Sequence, residues 1–522
     1  MAVGVTSDFP APGMRLAVRE AATGAPLAEL PVDDAGAVAA AAARGRAAQP
    51  PWAARALKER GQLLKRARRE VVRDRARILR ALERETGKAR FDVVGELMNV
   101  CLDIGYFVRR APRFLRPEKR SARPLLGKRA RVVYKPRGLV GIISPWNAPL
   151  TLALGDAIPA LLAGNAVIVK PSELTPLAVR YACAAMNRVL PADLLQVLIG
   201  AGDTGAALVD QVDMICVTGS PETGQRVMER AAKRLTPVLL ELGGKDPMIV
   251  LADANLENAA RGAVWGAFAN SGQSCAAVER CYVQESIAPQ FIEAVVAETR
   301  RLRQGAGTNQ DSDIGSMTSE RQLRVVERHV YEATARGAVA LTGGERLTAE
   351  PGPFFPPTVL TNVDQDMEVM REETFGPVLP IMTFKTDEDA VRLANDSSYG
   401  LTASVWTGDV VRGQRLAEQI DAGTVIVNDV LYTHAVAQTP WGGVKQSGLG
   451  RTHGRAGLLE LVSQQHIHVN RFSFLPDLWW FNYSPPAGRL FRGLARRFAS
   501  GSLFQTALLL PQIIRRFFER RD

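Results

Sequence analysis

Between residues 138 and 251 short apolar runs alternate with longer segments of mixed polarity, and this alternation constrains the fold more than any other feature. Leu139–Ile143, Ala166–Val169, Leu195–Ile199, Met214–Val217, Val238–Leu240 and Met248–Leu251 are apolar at consecutive positions, as strands buried on both faces are. The intervals between them are long enough for crossover helices. Such strands run parallel with helices on either face, so the expected class is α/β with a doubly wound sheet. Sheets of this kind bind ligands beyond the carboxyl ends of their strands.

The residues just beyond each strand are therefore the first place to look for chemistry. Ile143 runs into Ser144-Pro145-Trp146-Asn147, and Val169 into Lys170-Pro171-Ser172-Glu173. Val217 leads to Thr218-Gly219-Ser220-Pro221-Glu222-Thr223-Gly224, and Leu240 to Glu241-Leu242-Gly243-Gly244-Lys245. Each segment alone is compatible with turn chemistry; together they point to a site. Gly219-x4-Gly224 opens a helix whose free N–H groups either face an anion or simply continue a turn. Lys170 suits hydroxyl or phosphate oxygens and Glu173 a ribose diol, although each alone also reads as a surface residue.

The most specific segment is Phe268-Ala269-Asn270-Ser271-Gly272-Gln273-Ser274-Cys275, after an expected helix over Leu256–Ala269. Cys183 and Cys216 sit in apolar runs and read as core. Cys275 sits instead in a small polar turn, which exposes sulfur and offers backbone N–H groups to a thiolate nucleophile. No histidine lies near it in sequence. Glu241 is the candidate base, because burial after an apolar strand raises a carboxyl pKa towards neutrality and lets it activate water.

The net charge of +11, from 65 Lys and Arg against 54 Asp and Glu, raises the question of a polyanion partner. The excess is segregated: residues 55–137 carry seventeen more bases than acids and residues 489–522 six more, leaving the remainder mildly acidic. From Trp52 to Arg90, Leu57, Leu64, Val71, Ile78 and Leu82 mark one face of a helix and arginines fill the other, a solvated face. No helix-turn-helix, finger or aromatic RNA motif accompanies the charge, so no nucleic-acid partner is expected. Five cysteines and no secretory signal favour a reducing, cytoplasmic setting.

Residues 471–522 form a basic amphipathic tail. Trp479-Trp480-Phe481, Leu490-Phe491, Leu494, Phe498, Leu508-Leu509-Leu510 and Ile513-Ile514 are interleaved with eight arginines. Two readings stand: packing on the body or on a partner subunit, and peripheral membrane contact through residues 483–522. Gly501 and Pro511 interrupt its uncharged run, which makes it a poor spanning helix.

Together these segments resemble the NAD(P)-dependent aldehyde dehydrogenase superfamily over about residues 15–470. The resemblance is carried by Pro145-Trp146-Asn147, Lys170-Pro171-Ser172-Glu173, Gly219-Ser220 with Gly224, Glu241-Leu242-Gly243-Gly244-Lys245, and Gly272-Gln273-x-Cys275 with Arg280. Glu373-x-Phe375-Gly376-Pro377, Asn395-Asp396 with Tyr399-Gly400-Leu401, and Gly442-Gly443-x-Lys445-x-Ser447-Gly448 complete it. The resemblance implies that Cys275 attacks an aldehyde, Asn147 stabilises the oxyanion and Glu241 activates water, giving the free acid. It also implies that Trp146, Lys170, Glu173, Gly219, Ser220, Gly224, Glu373 and Phe375 bind NAD, with NADP the alternative, and that no metal is required.

The fold implied is the aldehyde dehydrogenase fold: a doubly wound Rossmann-like cofactor domain over 1–117 and 138–243, and an α/β catalytic domain over 244–446. A β-arm for oligomerisation is implied over 118–137 and 455–470, and with it a homodimer or homotetramer. Val217 and Trp441 stand where relatives usually or often carry Phe, and both read as apolar swaps that leave the chemistry in place. Small Ala148 and Gly155 suggest a roomy tunnel, and Leu431-Tyr432 with Trp441 an apolar mouth. Asp156 stands where some semialdehyde dehydrogenases keep an arginine for the substrate carboxylate. A hydrophobic aliphatic or aromatic aldehyde is the substrate expected, with succinate semialdehyde the alternative. A silent, membrane-associated binding protein is the remote alternative; it predicts a broken constellation, and the constellation is intact.

Overall fold

The computed structural model describes residues 14–122, 125, 127–306, 311–474, 476–481, 483–501 and 503–518. Residues 1–13 of the expected cofactor domain, Leu475, and Glu519 and Asp522 of the tail lie outside them. The chain divides into two units, residues 1–115 with 135–463, and residues 116–134 with 464–522.

In the first unit, five of the six expected strands join one sheet, in the order Val238–Glu241, Met214–Thr218, Leu139–Ile143, Ala166–Lys170, Leu195–Val197, all parallel. Most of their Val, Ile and Leu side chains are buried, on both faces, as continuous apolar runs require, with Ile143, Val197 and Val238 half-buried at strand ends. Two points differ from expectation. The sixth strand, Asp246–Val250, belongs to a second sheet. The first sheet also gains an antiparallel edge, Gly448–Leu449, paired with Glu241 and Leu240. Gly448 permits this approach: its φ is +148°, and a Cβ there would lie 2.3 Å from the Leu240 carbonyl oxygen.

The second sheet has seven strands, in the order Val339–Thr342, Thr358–Thr361, Val378–Phe384, Val278–Gln284, Asp246–Val250, Thr402–Trp406, Thr424–Val427. Only the first of these pairs antiparallel with its neighbour. Side chains alternate between two cores: Ile249 and Tyr282 enter one, while Met248, Val250 and Cys281 enter the other.

The arginine-rich stretch after Trp52 contains two helices, not one, Leu57–Arg73 and Arg75–Thr86, broken at Asp74. Leu64, Val71, Ile78 and Leu82 are buried as their spacing predicts, and Leu57 is half-buried. The other face is not wholly solvated. Arg60 is buried and donates to the carbonyls of Leu162, Ala53 and Arg55.

Val462–Asn470, Lys128–Pro136 and Glu118–Arg120, which lie mostly in the second unit, form a three-stranded sheet. The tail of this unit folds into two helices, Pro485–Ser500, capped by Ser484, and Leu503–Phe518. They meet closely because Gly493 has no side chain; a Cβ there would lie 2.5 Å from Leu509. Trp479 stacks on Phe491 with ring centroids 5.6 Å apart, while Trp480 and Phe481 stay exposed. Among the described residues no helix is long and apolar enough to cross a membrane.

Candidate active site

The turn carrying Cys275 is built by an abrupt end to the helix Leu256–Phe268. Asn270, Ser271 and Gly272 all take positive φ, at 53°, 55° and 69°. Only glycine fits the third position, where a Cβ would lie 2.1 Å from the Gly376 carbonyl oxygen. The strain is over-determined by hydrogen bonds. Ser271 Oγ donates to the Gly315 carbonyl, the Gln273 side chain accepts from Thr318 N–H, and its amide donates to the Asn270 carbonyl.

Asn147, at the carboxyl end of its strand, reaches this turn. Its Nδ2 donates to the Gln273 carbonyl at 3.1 Å, and Asn270 Nδ2 donates to the same carbonyl and to that of Asn147. Glu241, ending the strand two places along the same sheet, is 2 % exposed. Cys275 Sγ donates to Glu241 Oε1 at 3.9 Å, and the Trp441 indole N–H donates to the same oxygen. Burial raises Glu241 to about 7 against these two hydrogen bonds. Burial, with the charges of Glu241, Asp246 and Glu373, pushes the Cys275 thiol well up, so the resting sulfur is protonated. Cys275, Glu241 and Asn147 thus converge on one turn.

A second group surrounds Gly243 and Gly244. Glu373 accepts from Gly244 N–H at 2.9 Å, and a Cβ on Gly243 would lie 2.4 Å from that carboxylate. Burial and the Glu279 charge raise Glu373 to about 8. Phe375 meets Trp146 edge to face, with centroids 5.4 Å apart. Glu279 fixes this segment by accepting from the N–H groups of Thr374 and Phe375 while pairing with buried Lys245 at 2.6 Å. Arg280 is framework too, donating to the carbonyls of Lys245, Leu393 and Ala394.

Lys170 Nζ donates to the Gly200 carbonyl at 3.0 Å and lies 3.7 Å from half-exposed Glu173. Ser220 caps the helix Pro221–Ala232, accepting from Thr223 N–H. Gly219 leaves its strand end bare, since a Cβ there would meet only Thr223 at 3.8 Å. Gly224 is explained by packing: its N–H bonds the Ser220 carbonyl, and a Cβ would lie 2.8 Å from Leu242. A buried ammonium, a carboxylate facing solvent, a bare strand end at Gly219 and the Glu373 cradle at Gly243 together fit the ribose and phosphate groups of a dinucleotide.

Sequence reasoning missed two features. Trp441 is not merely an apolar swap, because its N–H engages Glu241; the only signal was a polar handle where relatives often carry Phe. Asp103, on the helix Arg90–Phe114, is 4 % exposed and raised to about 7 by burial and by Asp156, itself raised to about 7 by burial and by Glu241.

The model of the aldehyde dehydrogenase family matches residues 10–467. The chain is 41% identical over 479 residues to a putative succinate-semialdehyde dehydrogenase [NADP(+)] 2 of Mycobacterium tuberculosis, covering 90% of each. It is equally 41% identical, over 455 residues, to the 4,4'-diapolycopene aldehyde oxidase of a Methylomonas species, covering 86% of this chain and 85% of that one. Among solved structures it resembles betaine aldehyde dehydrogenase of Staphylococcus aureus in complex with NAD+, with a TM-score of 0.85 at 32% identity over 90% of this chain and 94% of that one. Likeness of this extent, over both sheets and the cysteine turn between them, means that the chain belongs to the aldehyde dehydrogenase family.

Proposed function

We propose that Cys275, Glu241 and Asn147 oxidise an aldehyde to the free carboxylic acid through a thioester on Cys275. The observation that carries this reading is the pairing of Cys275 Sγ with the Glu241 carboxylate at 3.9 Å in a turn that also fixes the Asn147 amide. Glu241 takes the thiol proton as sulfur attacks the carbonyl carbon. The second N–H of the Asn147 amide and the Cys275 backbone N–H stabilise the oxygen as it becomes anionic. Lys170, Glu173, Gly219, Ser220, Glu373, Phe375 and Trp146 would hold NAD(P)+, which when bound would accept the hydride that the adduct loses. Glu241, having released its proton, then activates water against the thioester and the acid leaves. Reduced cofactor monitored by absorbance over a panel of aldehydes tests this: wild type turns over and Cys275→Ala does not. Equal rates from both remove the reading.

The aldehyde is hydrophobic. Asp156 and Asp103 line the packed helices Pro149–Ala163 and Arg90–Phe114, and among the described residues no Lys or Arg acts on either carboxylate. Neither position attracts a substrate carboxylate, and ionised aspartates repel one. The second reading, succinate semialdehyde, is favoured by the names of relatives at 41% identity. Comparing kcat/KM for decanal, benzaldehyde and succinate semialdehyde decides between them.

The three-stranded sheet serves assembly into a homodimer or homotetramer, which sedimentation tests. The tail helices, with Trp480 and Phe481 exposed beside arginines, contact anionic lipid. Liposome co-sedimentation with and without residues 483–522 tests this, and equal binding overturns it.

A further inference from the structure

Trp441 is 1 % exposed and packed against Ala276, Leu401, Leu431 and Cys275 itself. Its backbone is tied in both directions to Thr452, by bonds of 3.0 and 2.8 Å, and its ring meets His434 edge to face at 5.1 Å. The indole therefore has no room to swing, and its N–H is a fixed donor aimed at Glu241 Oε1. The same stretch of chain also fixes the Glu241 backbone, through the pairing of Gly448 with Glu241 and the bond from Leu242 N–H to the Ser447 carbonyl. One segment thus clamps the main chain and the side chain of a single residue.

The consequence lies in which oxygen stays open. Oε1 receives both the indole N–H and the Cys275 thiol, whereas Oε2 receives no hydrogen bond among the described residues. An aromatic ring without an N–H would fill the same space and leave both oxygens free to rotate towards the sulfur.

We propose that Trp441 is a positioning residue for deacylation: its indole N–H holds Glu241 Oε1 so that Oε2 faces the water that attacks the Cys275 thioester. This rests on Glu241 being the base of the proposed reaction. The hydrogen bond favours the ionised carboxylate and so opposes the burial that raises it. The other titratable groups facing Glu241 and Trp441 are Cys275, Asp156 on the helix Pro149–Ala163, and His434 with His453, both held neutral by burial.

The test uses the full-length enzyme and p-nitrophenyl acetate, which acylates Cys275 without any cofactor and separates the nitrophenol burst from steady deacylation. Trp441→Phe is expected to keep the burst and to move the pH inflection of deacylation upward by about one unit, the scale of a hydrogen bond to a charged group. Trp441→Gln, which keeps an N–H at similar reach, is expected to hold the inflection nearer the wild-type value. In a Glu241→Gln background Trp441→Phe should leave deacylation unchanged. An unmoved inflection, or an equal loss in the Glu241→Gln background, shows a packing role only and overturns the proposal. A wild-type burst that survives Cys275→Ala fails differently, removing the underlying thioester reading itself.

Discussion

Cys275 Sγ stands 3.9 Å from Glu241 Oε1, and burial drives both groups towards their uncharged forms. The pair rests with the proton on sulfur, ready to pass to the carboxylate when an aldehyde engages the thiol. In the proposed reaction two successive tasks then fall to one carboxylate, which must be ionised for each.

Turnover should therefore track ionisation of Glu241. Its carboxyl is raised to about 7, so kcat is expected to rise with pH through that value and level off above it. Glu241→Gln should release about one equivalent of reduced cofactor per site, more slowly than wild type because the thiol has lost its proton acceptor, and then stall, with steady turnover lowered by roughly 10²–10⁴-fold. A pre-steady-state trace beside a pH–rate profile checks both. A variant that keeps full steady turnover removes Glu241 as the water-activating base.

Asp103 gives a stability prediction with a definite sign. Its carboxyl is raised from 3.8 to about 7, chiefly by burial and then by Asp156. A raised acid costs nothing below the unfolded pKa, and its penalty grows as pH rises towards the folded one. Asp103→Asn should match wild type near pH 4 and exceed it at pH 8 by about 4 kcal/mol. Urea denaturation at the two pH values measures this, and an equal difference at both contradicts it.

Much of this architecture was legible in the sequence because apolar runs and strand-end turns are local signals. The Cys275 turn announced itself through Asn-Ser-Gly-Gln, and the strand Leu139–Ile143 through unbroken Leu, Val and Ile. What periodicity could not show was which sheet a strand joins. Met248–Leu251 reads like the five runs before it, yet it pairs with Val278–Gln284 and Thr402–Trp406, which lie far along the chain. The bond from Trp441 to Glu241 spans 200 residues and depends on an edge strand that only a glycine at 448 allows. Gly224 was read as phosphate-binding because a glycine near a helix start suits both an anion and close packing, and Leu242 decides for packing.

Gly243 links the strand that ends in Glu241 to Glu373, a residue of the proposed cofactor site. A Cβ there would lie 2.4 Å from the Glu373 carboxylate, which Gly244 N–H holds in place. Gly243→Ala must displace Glu373, so cofactor affinity should fall by about tenfold, the worth of one lost hydrogen bond to a charged group. Titrating NAD+ against protein fluorescence measures this. The p-nitrophenyl acetate burst, which needs no cofactor, should persist.

Arg60 tests whether the basic block is a solvated face alone. It is 8 % exposed, burial lowers its pKa, and it donates to the carbonyls of Leu162 at 3.0 Å, Ala53 at 3.0 Å and Arg55 at 2.7 Å. These carbonyls belong to the ends of Ala35–Ala53 and Pro149–Ala163 and to the linker after the first, where helical partners have run out. Arg60→Met keeps the volume of the stem but leaves these acceptors dry. Each buried unsatisfied group costs about 1–3 kcal/mol, and relaxation recovers part of it, so a net loss of about 3 kcal/mol is expected. Arg66→Met, on the exposed side of the same helix, should change stability by less than about 0.5 kcal/mol. Equal effects from the two substitutions in urea denaturation would mean that the arginines of this block act as one solvated face, with no structural role for the buried guanidinium.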